Sequence, residues 1–229
     1  MKYKGIIFDF NGTLYWDSEK HKQAWREYSK KLRGIAFSDE EMLKYMFGRT
    51  NKEIIAYALG KEPTDKLVKE LGDEKEALYR QRSLEDKENF HLAKGSIELL
   101  DFLKENNIPR TIATMSDINN VSFYFEHFNL AKWFDFDKVV YANGKIPSKP
   151  APDIFQIAAN NLGLNPEECI VVEDALSGIE SARRANIGKI IAICSEESPS
   201  LYEPIECVSQ IIKDFHEIDK SIFSTKITT

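Results

Sequence analysis

Short apolar runs of strand length alternate with amphipathic stretches of helical period along most of this chain. The apolar runs lie at Gly5–Phe10, Thr111–Thr114, Val139–Ala142, Ile170–Val172, Ile190–Cys194 and, with a weaker pattern, Val208–Ile212. The helical stretches lie near residues 96–106, 118–128, 152–162 and 176–186. Because alternating strands and helices are joined by right-handed βαβ crossovers, the pattern predicts an α/β fold with a Rossmann-like, doubly wound, mostly parallel sheet.

Residues of roughly 17–90 interrupt this alternation and contain several helix-start signals instead of strands. Ser38 with Glu41, and Thr50 with Glu53, fit capping boxes, in which a hydroxyl and a glutamate satisfy the first free amides of a helix. Glycines at 34 and 60 suit helix ends that need a positive φ. The sequence therefore predicts a helical insertion over residues 16–91 in a core formed by 1–15 and 92–229. The polar residues 213–229 are expected to form a surface helix with a frayed end.

Charge and cysteine content narrow the class of protein. A chain of 229 residues with a formal net charge of −6 has no basic stripe of the kind that binds nucleic acid. Its three cysteines, Cys169, Cys194 and Cys207, are odd in number and widely spaced, which favours buried structural thiols in a reducing compartment. Asp9 interrupts the first apolar run too early for a signal peptide or a membrane span. We therefore expect a cytoplasmic protein with no nucleic-acid or membrane partner.

Four segments carry candidate chemistry, and three of them lie at the end of a predicted strand. The relevant segments are Asp9-Phe10-Asn11-Gly12-Thr13, Ile112-Ala113-Thr114-Met115-Ser116, Ser148-Lys149-Pro150-Ala151-Pro152-Asp153, and Val171-Val172-Glu173-Asp174-Ala175 followed by Gly178. The carboxyl ends of parallel strands share one edge of a sheet, so these side chains are expected to meet in one crevice. Carboxylates there could hold Mg²⁺. A hydroxyl of Thr114 or Ser116, together with Lys149, could hold phosphate oxygens.

The four segments, in this order, resemble the haloacid dehalogenase-like superfamily, specifically its phosphatase and β-phosphoglucomutase branch. The resemblance implies that Asp9 is a nucleophile that forms a phospho-aspartate. It implies that Thr114 binds the transferring phosphoryl group and that Lys149 steadies its charge. It further implies that Asp174 ligates Mg²⁺, with Glu173 beside it or acting through water. The inserted helices would then be a mobile cap that closes over the site.

Asn11 departs from the family pattern, which usually has an aspartate two residues after the nucleophile as general acid and then base. An amide cannot carry a proton between substrate and water. The metal site should survive, because the family uses the backbone carbonyl of this residue as a ligand. Four explanations stay open: slow or altered chemistry, a proton supplied by another residue, loss of catalysis in favour of binding, or a mutation introduced to trap a complex. We expect phosphorylated Asp9 to form but to turn over slowly.

The insertion carries the candidates for substrate binding. His21 resembles a histidine on the first cap helix that assists proton transfer in the mutase branch, and an imidazole is the side chain that ordinarily transfers protons near neutral pH; a plain surface histidine is the alternative. The segment Gly48-Arg49-Thr50-Asn51 resembles the substrate-specificity loop, with Asn51 where an arginine is expected and Arg49 as its substitute or a surface residue. Lys75 resembles a phosphate-facing cap lysine, against the alternative of a solvated one.

The sequence thus predicts a Mg²⁺-dependent phosphatase that acts on a small phosphorylated metabolite, such as a sugar phosphate. Its rivals are a β-phosphoglucomutase-like phosphomutase and a catalytically impaired phosphometabolite-binding protein. A dehalogenase fits less well, because dehalogenases do not need the metal that Glu173 and Asp174 suit. The sequence leaves the substrate and the oligomeric state open, with a monomer slightly favoured.

Overall fold

The computed structural model describes residues 3–46, 49–194 and 199–223, without the side chain of Leu43. The chain divides into two compact units. A core unit consists of residues 1–16 and 92–229, and a helical unit consists of residues 17–91.

A five-stranded parallel sheet forms the centre of the core unit, with the strand order β2-β1-β3-β4-β5. The strands are β1 (Gly5–Phe8), β2 (Arg110–Ile112), β3 (Cys169–Glu173), β4 (Lys189–Ile193) and β5 (Val208–Ile212). The predicted α/β fold with a parallel sheet is confirmed. The chain order changes direction at β1, which lies between β2 and β3, and open α/β sheets bind ligands beyond such a point.

The helices of the core unit are α5 (Ser96–Glu105), α6 (Ile118–His127), α7 (Asp153–Asn161) and α8 (Leu176–Arg184). Helices α7 and α8 pack on the sheet through Ile154, Phe155, Ile179 and other buried residues, in a cluster with Ile7 of β1. Successive strand residues point to opposite faces, so Phe8 lies on the other face, where its ring contacts Phe134 and Phe215. Both faces of β1 are therefore buried, which explains its continuously apolar sequence.

Residues 139–142, predicted as a strand, form only an isolated bridge between Val140 and Ala113. Val140 still exchanges hydrogen bonds with Ile112 and Thr114. The ladder stops because β2 is followed by a bend, in which the Ser116 amide donates to Thr114 Oγ1 at 3.1 Å.

The helix predicted over 213–229 is wrong for its described part, which contains two short 3₁₀ turns at 215–217 and 220–222. The carboxylates of Asp214 and Asp219 accept from the amides two residues later, and such local bonds compete with a continuous helix. Residues 224–229, like Met1 and Lys2, lie outside the described residues.

The helical unit contains α1 (Ser18–Arg33), α2 (Asp39–Tyr45), α3 (Asn51–Leu59) and α4 (Asp65–Glu85). Both capping boxes are confirmed, at Ser38 before α2 and at Thr50 before α3. Gly34 and Gly60 end α1 and α3 in the left-handed conformation. The unit has an apolar core of its own, which includes Trp25, Tyr28, Phe37, Met42, Met46, Ile54, Ile55 and Ala58.

All three cysteines are free thiols, with Cys169 and Cys194 buried and Cys207 half-buried. Burial raises the pKa of the Cys169 thiol to about 12, which makes it a poor nucleophile at neutral pH. None of the helices in the described part of the chain combines the length and the apolar character of a membrane span.

Candidate active site

Asp9 directly follows β1, and its backbone amide still donates to the Val172 carbonyl of β3 at 3.0 Å. Its buried carboxylate accepts a hydrogen bond of 2.6 Å from Lys149 Nζ. Lys149 also donates to Glu173 Oε1 at 2.6 Å. One ammonium therefore bridges two carboxylates that stand at the ends of neighbouring strands.

Lys149 is only 3% exposed. Burial by itself would lower its pKa, but the adjacent Asp9 and Glu173 carboxylates outweigh burial and raise that pKa above its usual range. The side chain therefore remains a cation at every physiological pH, and both neighbouring carboxylates stay paired.

Asp9, Glu173 and Asp174 each offer a carboxylate oxygen, and these oxygens lie within 4.8 Å of one another. Opposite ligands of an octahedral Mg²⁺ stand about 4 Å apart, so the spacing of these oxygens is close to that of ligands around one ion. Three carboxylates beside one ammonium leave about two negative charges, which a divalent cation would neutralise. The donor set is all oxygen, as hard cations require, and the residues fit Mg²⁺.

Burial and repulsion from Glu173 and Asp9 raise the pKa of Asp174 well above its usual value. The hydroxyl of Thr13 opposes this effect by donating to Asp174 Oδ1 at 2.9 Å. The backbone carbonyl of Asp174 accepts a second bond of 2.6 Å, from the Tyr202 hydroxyl. The side chain and the backbone of Asp174 are thus each held by a hydroxyl.

Two glycines make room for these acids. Gly12 has a φ of +81°, and a Cβ at this position would lie 2.2 Å from Asp174 Oδ2. Gly178, in the first turns of α8, would place a Cβ 1.6 Å from Glu173 Oε1. Both distances are far below van der Waals contact, so the close approach of backbone to carboxylate requires glycine.

Gly178→Ala is expected to destabilise the protein by about 1–3 kcal/mol, the usual cost of overpacking. The Glu173 carboxylate cannot move away without losing Lys149 and the Ala175 amide, which donates to it at 2.7 Å. Urea unfolding measures the effect. Gly72→Ala in α4 is the matched control: the nearest atom to its added Cβ is 3.5 Å away, so this variant should gain about 0.5–1 kcal/mol of helix stability. Equal changes in the two variants would contradict the prediction.

The Asn11 amide hydrogen-bonds to side chains at the same edge of the sheet. Its oxygen accepts from Ser116 Oγ at 2.7 Å and from Thr114 Oγ1 at 3.4 Å. Its nitrogen donates to the Tyr124 hydroxyl at 2.8 Å. Tyr124, on α6, also stacks on Phe10 with ring centroids 4.2 Å apart. No local signal in the sequence predicts that an aromatic residue of α6 contacts Asn11.

Three candidate residues of the helical unit, His21, Lys75 and Asn51, lie close to one another within that unit. His21 stacks on Tyr79 with ring centroids 3.8 Å apart. Its Nδ1 lies 3.3 Å from Lys75 Nζ, and its Nε2 lies 3.5 Å from Asp17 Oδ2. Asp17 also accepts from the Tyr79 hydroxyl. Asp17 with His21, and Lys75 with Tyr79, are spaced by four residues, which places each pair on one helix face.

Lys75 is 1% exposed, so the expectation of a solvated helix lysine is wrong. Its ammonium lies 2.7 Å from Glu76 Oε1 and 4.9 Å from the centre of the Trp25 ring. Burial of a lysine costs free energy, which the ion pair and the ring offset. The same Glu76 oxygen accepts from Asn51 Nδ2 at 2.8 Å, which places Asn51 in this cluster.

Arg49 is exposed and lies 3.4 Å from Glu53 Oε1. This is the environment of a surface arginine, as one of the two interpretations expected. Gly48, the first residue of the same segment, lies outside the described residues.

The candidate residues therefore fall into two groups. In the core unit, the carboxylates of Asp9, Glu173 and Asp174 lie together with Lys149. Thr114 and Ser116 contact Asn11 there. In the helical unit, His21, Lys75 and Asn51 are linked through Glu76 or direct contact. Sequence reasoning missed Tyr124, Tyr202 and Glu76 as partners of these residues.

Comparison with known proteins identifies a family and similar proteins. A family model described as haloacid dehalogenase-like hydrolase matches residues 3–186. The fructose-1-phosphate phosphatase YqaB of Escherichia coli is 29% identical over 191 residues, which cover 82% of this chain and 96% of that protein.

Solved structures agree with the fold. A haloacid dehalogenase hydrolase of family IA, variant 3, from Entamoeba histolytica superposes with a TM-score of 0.87 at 39% identity, covering 96% of both chains. A β-phosphoglucomutase from Clostridium difficile superposes with a TM-score of 0.78 at 25% identity, covering 96% of this chain and 94% of that one.

Proposed function

The chain belongs to the haloacid dehalogenase-like hydrolase family, and from that premise we propose that it is a Mg²⁺-dependent phosphatase of a small phosphorylated metabolite, with Asp9 as its nucleophile. The family includes sugar-phosphate phosphatases and phosphomutases among the relatives of this chain. The protein is therefore an enzyme of the phosphatase and phosphomutase group. What is proposed beyond this is the metal, the covalent intermediate and the role of each residue.

The main support is one cluster: the Asp9 carboxylate lies 2.6 Å from a buried ammonium and within 4.8 Å of the oxygens of Glu173 and Asp174. A carboxylate beside fixed positive charge can accept a phosphoryl group, because the charge of that group is then balanced. The same cluster would attract an anionic phosphate only after its excess negative charge has been neutralised. This supports a divalent cation as part of the reaction.

In the proposed reaction, an oxygen of Asp9 attacks the phosphorus and forms an aspartyl phosphate. Lys149 holds negative charge on the phosphoryl oxygens, and Thr114 donates a hydrogen bond to one of them. Asp9, Asp174 and the backbone carbonyl of Asn11 would hold Mg²⁺, with Glu173 beside them or acting through water. When bound, the ion would neutralise charge that develops on the transferring group. Water then cleaves the aspartyl phosphate and restores the Asp9 carboxylate.

The second candidate is a phosphomutase, which returns the phosphoryl group to another hydroxyl of the substrate. Its support is the fold similarity to the mutase from Clostridium difficile and the contact between His21 and Lys75 in the proposed cap. A phosphatase releases free phosphate, whereas a mutase releases an isomer of its substrate, so product analysis separates them.

Phosphate release from a panel of phosphorylated metabolites with Mg²⁺ is expected for the parent protein and should be absent for Asp9→Asn. The asparagine variant keeps the Lys149–Glu173 pair, so it should fold, which circular dichroism checks. Chelation of Mg²⁺ should stop turnover in the parent. Equal phosphate release by parent and variant would exclude Asp9 as the nucleophile.

A further inference from the structure

Tyr202 lies on the connection between β4 and β5, directly after a 3₁₀ turn at Pro199–Leu201. Its amide donates to the Pro199 carbonyl at 3.0 Å, and its carbonyl accepts from the Ile205 amide at 3.0 Å. The side chain is 1% exposed and belongs to the buried apolar cluster that also contains Ile179 of α8. Both the backbone and the ring of Tyr202 are therefore held by the core unit.

The phenol hydroxyl of this side chain reaches a distant part of the chain. It donates to the backbone carbonyl of Asp174 at 2.6 Å, across 28 residues of sequence. A buried tyrosine usually has such a partner, because a buried hydroxyl without one costs free energy. Phenylalanine would fill the same apolar space without that requirement. Packing alone therefore does not account for the hydroxyl of Tyr202, and its contact with Asp174 does.

The contacted carbonyl belongs to the turn between β3 and α8, which consists of Asp174 and Ala175. Ala175 stands at the N-cap of α8, and alanine has no side-chain oxygen that could accept from the first free amides of a helix. Side chains outside α8 hold the turn instead. The Glu173 carboxylate accepts from the Ala175 amide at 2.7 Å, Thr13 donates to the Asp174 carboxylate at 2.9 Å, and Tyr202 donates to the Asp174 carbonyl.

Thr13 and Tyr202 act on different parts of Asp174. Thr13 holds an oxygen of its carboxylate, whereas Tyr202 holds the peptide group that follows it. Because the side chain extends from this backbone, freedom of the turn becomes freedom of the carboxylate. That carboxylate offers an oxygen within 4.8 Å of those of Asp9 and Glu173. The Tyr202 hydroxyl therefore restricts where one of the three carboxylates of the cluster can lie.

We propose that the Tyr202 hydroxyl is a positioning group for the proposed metal site: it holds the turn at Asp174 so that the three carboxylates favour Mg²⁺ over a larger cation such as Ca²⁺. This rests on the proposed function, because it assumes that Asp174 ligates the metal. Mg²⁺ demands a nearly ideal octahedron of ligands, whereas Ca²⁺ accepts more oxygens in flexible arrangements. A looser turn therefore weakens Mg²⁺ binding and affects Ca²⁺ binding much less.

Tyr202→Phe tests the inference, because it removes the hydroxyl and keeps the ring. Thermal unfolding of the full chain over a series of MgCl₂ or CaCl₂ concentrations, at constant ionic strength, gives the Kd of each cation. The Kd for Mg²⁺ should rise by about 10–100-fold, which is the usual effect of removing a group that orients a metal ligand. The Kd for Ca²⁺ should rise by less than about threefold, since its coordination adapts to a displaced ligand.

Tyr3→Phe is the matched control, because the Tyr3 hydroxyl also donates to a backbone carbonyl, that of Gly188, at 3.1 Å. Gly188 precedes β4, whereas Asp174 follows β3, so the control bond lies at the opposite edge of the parallel sheet. This variant should leave the Kd of both cations unchanged. Urea unfolding without metal checks that both phenylalanine variants fold.

Two results would overturn the inference while leaving the proposed function intact. One is a Kd for Mg²⁺ that is the same in Tyr202→Phe and in the parent. The other is an equal rise of both Kd values, because general damage to the fold does not discriminate between the cations. If Tyr202→Phe does not fold, equal affinities of the parent for Mg²⁺ and Ca²⁺ overturn it. A parent that neither binds Mg²⁺ nor releases phosphate would instead reject the proposed function.

Discussion

Lys149→Met is expected to lower the free energy of unfolding by about 3–5 kcal/mol, because it leaves two buried carboxylates without their common cation. Lys149 is the hydrogen-bond donor to both Asp9 and Glu173, each at 2.6 Å. Methionine fills a similar volume but cannot pair with either acid. Formation of the proposed aspartyl phosphate should also slow by about 100–1000-fold, because the proposed preorganised donor to the phosphoryl group is lost.

The pH dependence of this effect follows from the direction of the pKa shift. The folded-state pKa of Lys149 is raised, so its stabilisation is fully present below the unfolded value of about 10.4 and is lost as the pH rises through the higher folded value. The difference between parent and variant should therefore stay constant through neutral pH and shrink only in strong alkali.

Urea unfolding at several pH values measures the Lys149→Met effect, and quenched phosphorylation measures its chemical part. Lys94→Met is the matched control, since Lys94 Nζ lies 2.9 Å from Asp214 but its side chain is 69% exposed. An exposed ion pair contributes little, so this variant should resemble the parent. If both methionine variants lose the same stability, the buried bridge is not the cause.

Asp174→Asn is expected to stabilise the metal-free protein at neutral pH and to abolish its response to Mg²⁺. Burial and the neighbouring Glu173 and Asp9 carboxylates raise the pKa of Asp174, so its charged form costs folding free energy. Asparagine keeps an oxygen for the Thr13 hydroxyl, which is 2.9 Å from Asp174 Oδ1, and carries no charge. Each kcal/mol gained should raise the Tm by about 2–4 °C in a chain of this size.

The pH dependence of the Asp174→Asn effect also follows from the direction of the pKa shift of Asp174. When folding raises the pKa of a carboxyl group, the free energy of unfolding falls as the pH increases from the unfolded-state pKa, about 3.9, through the folded-state pKa. The advantage of the asparagine variant should therefore vanish toward pH 4 and be present at pH 7. At neutral pH the parent should gain about 2.7 kcal/mol from Mg²⁺ at 100 times its Kd, whereas the variant should gain almost nothing.

Thermal unfolding with EDTA and with Mg²⁺ distinguishes these expectations. Asp219→Asn serves as the control, because Asp219 is exposed and asparagine can accept the same bond from the Ser221 amide. It should leave both the metal-free Tm and the Mg²⁺ response unchanged. A parent that is more stable than Asp174→Asn without metal would contradict the repulsion on which the prediction depends.

Much of the fold could be predicted because its signals are local. Four of the six predicted strands overlap continuous strands with the expected apolar residues, β1, β3, β4 and β5. A fifth, Thr111–Thr114, overlaps β2, although β2 ends at Ile112. The capping boxes before α2 and α3 are found where hydroxyl and glutamate are three residues apart. Residues 139–142 and 213–223 do not form the predicted strand and helix, because a bend and two aspartate-capped turns take the place of the regular backbone hydrogen bonds.

The sequence alone determined that Asp9, Thr114 and the acids at 173 and 174 lie at or near the ends of strands, since an apolar run that stops at a polar residue indicates where a buried strand ends. Only the tertiary structure decided which atoms meet. Lys149 is 140 residues from Asp9, and Tyr124 is 113 residues from Asn11. Such contacts depend on how helices pack on the sheet, and no pattern of three or four residues encodes that packing.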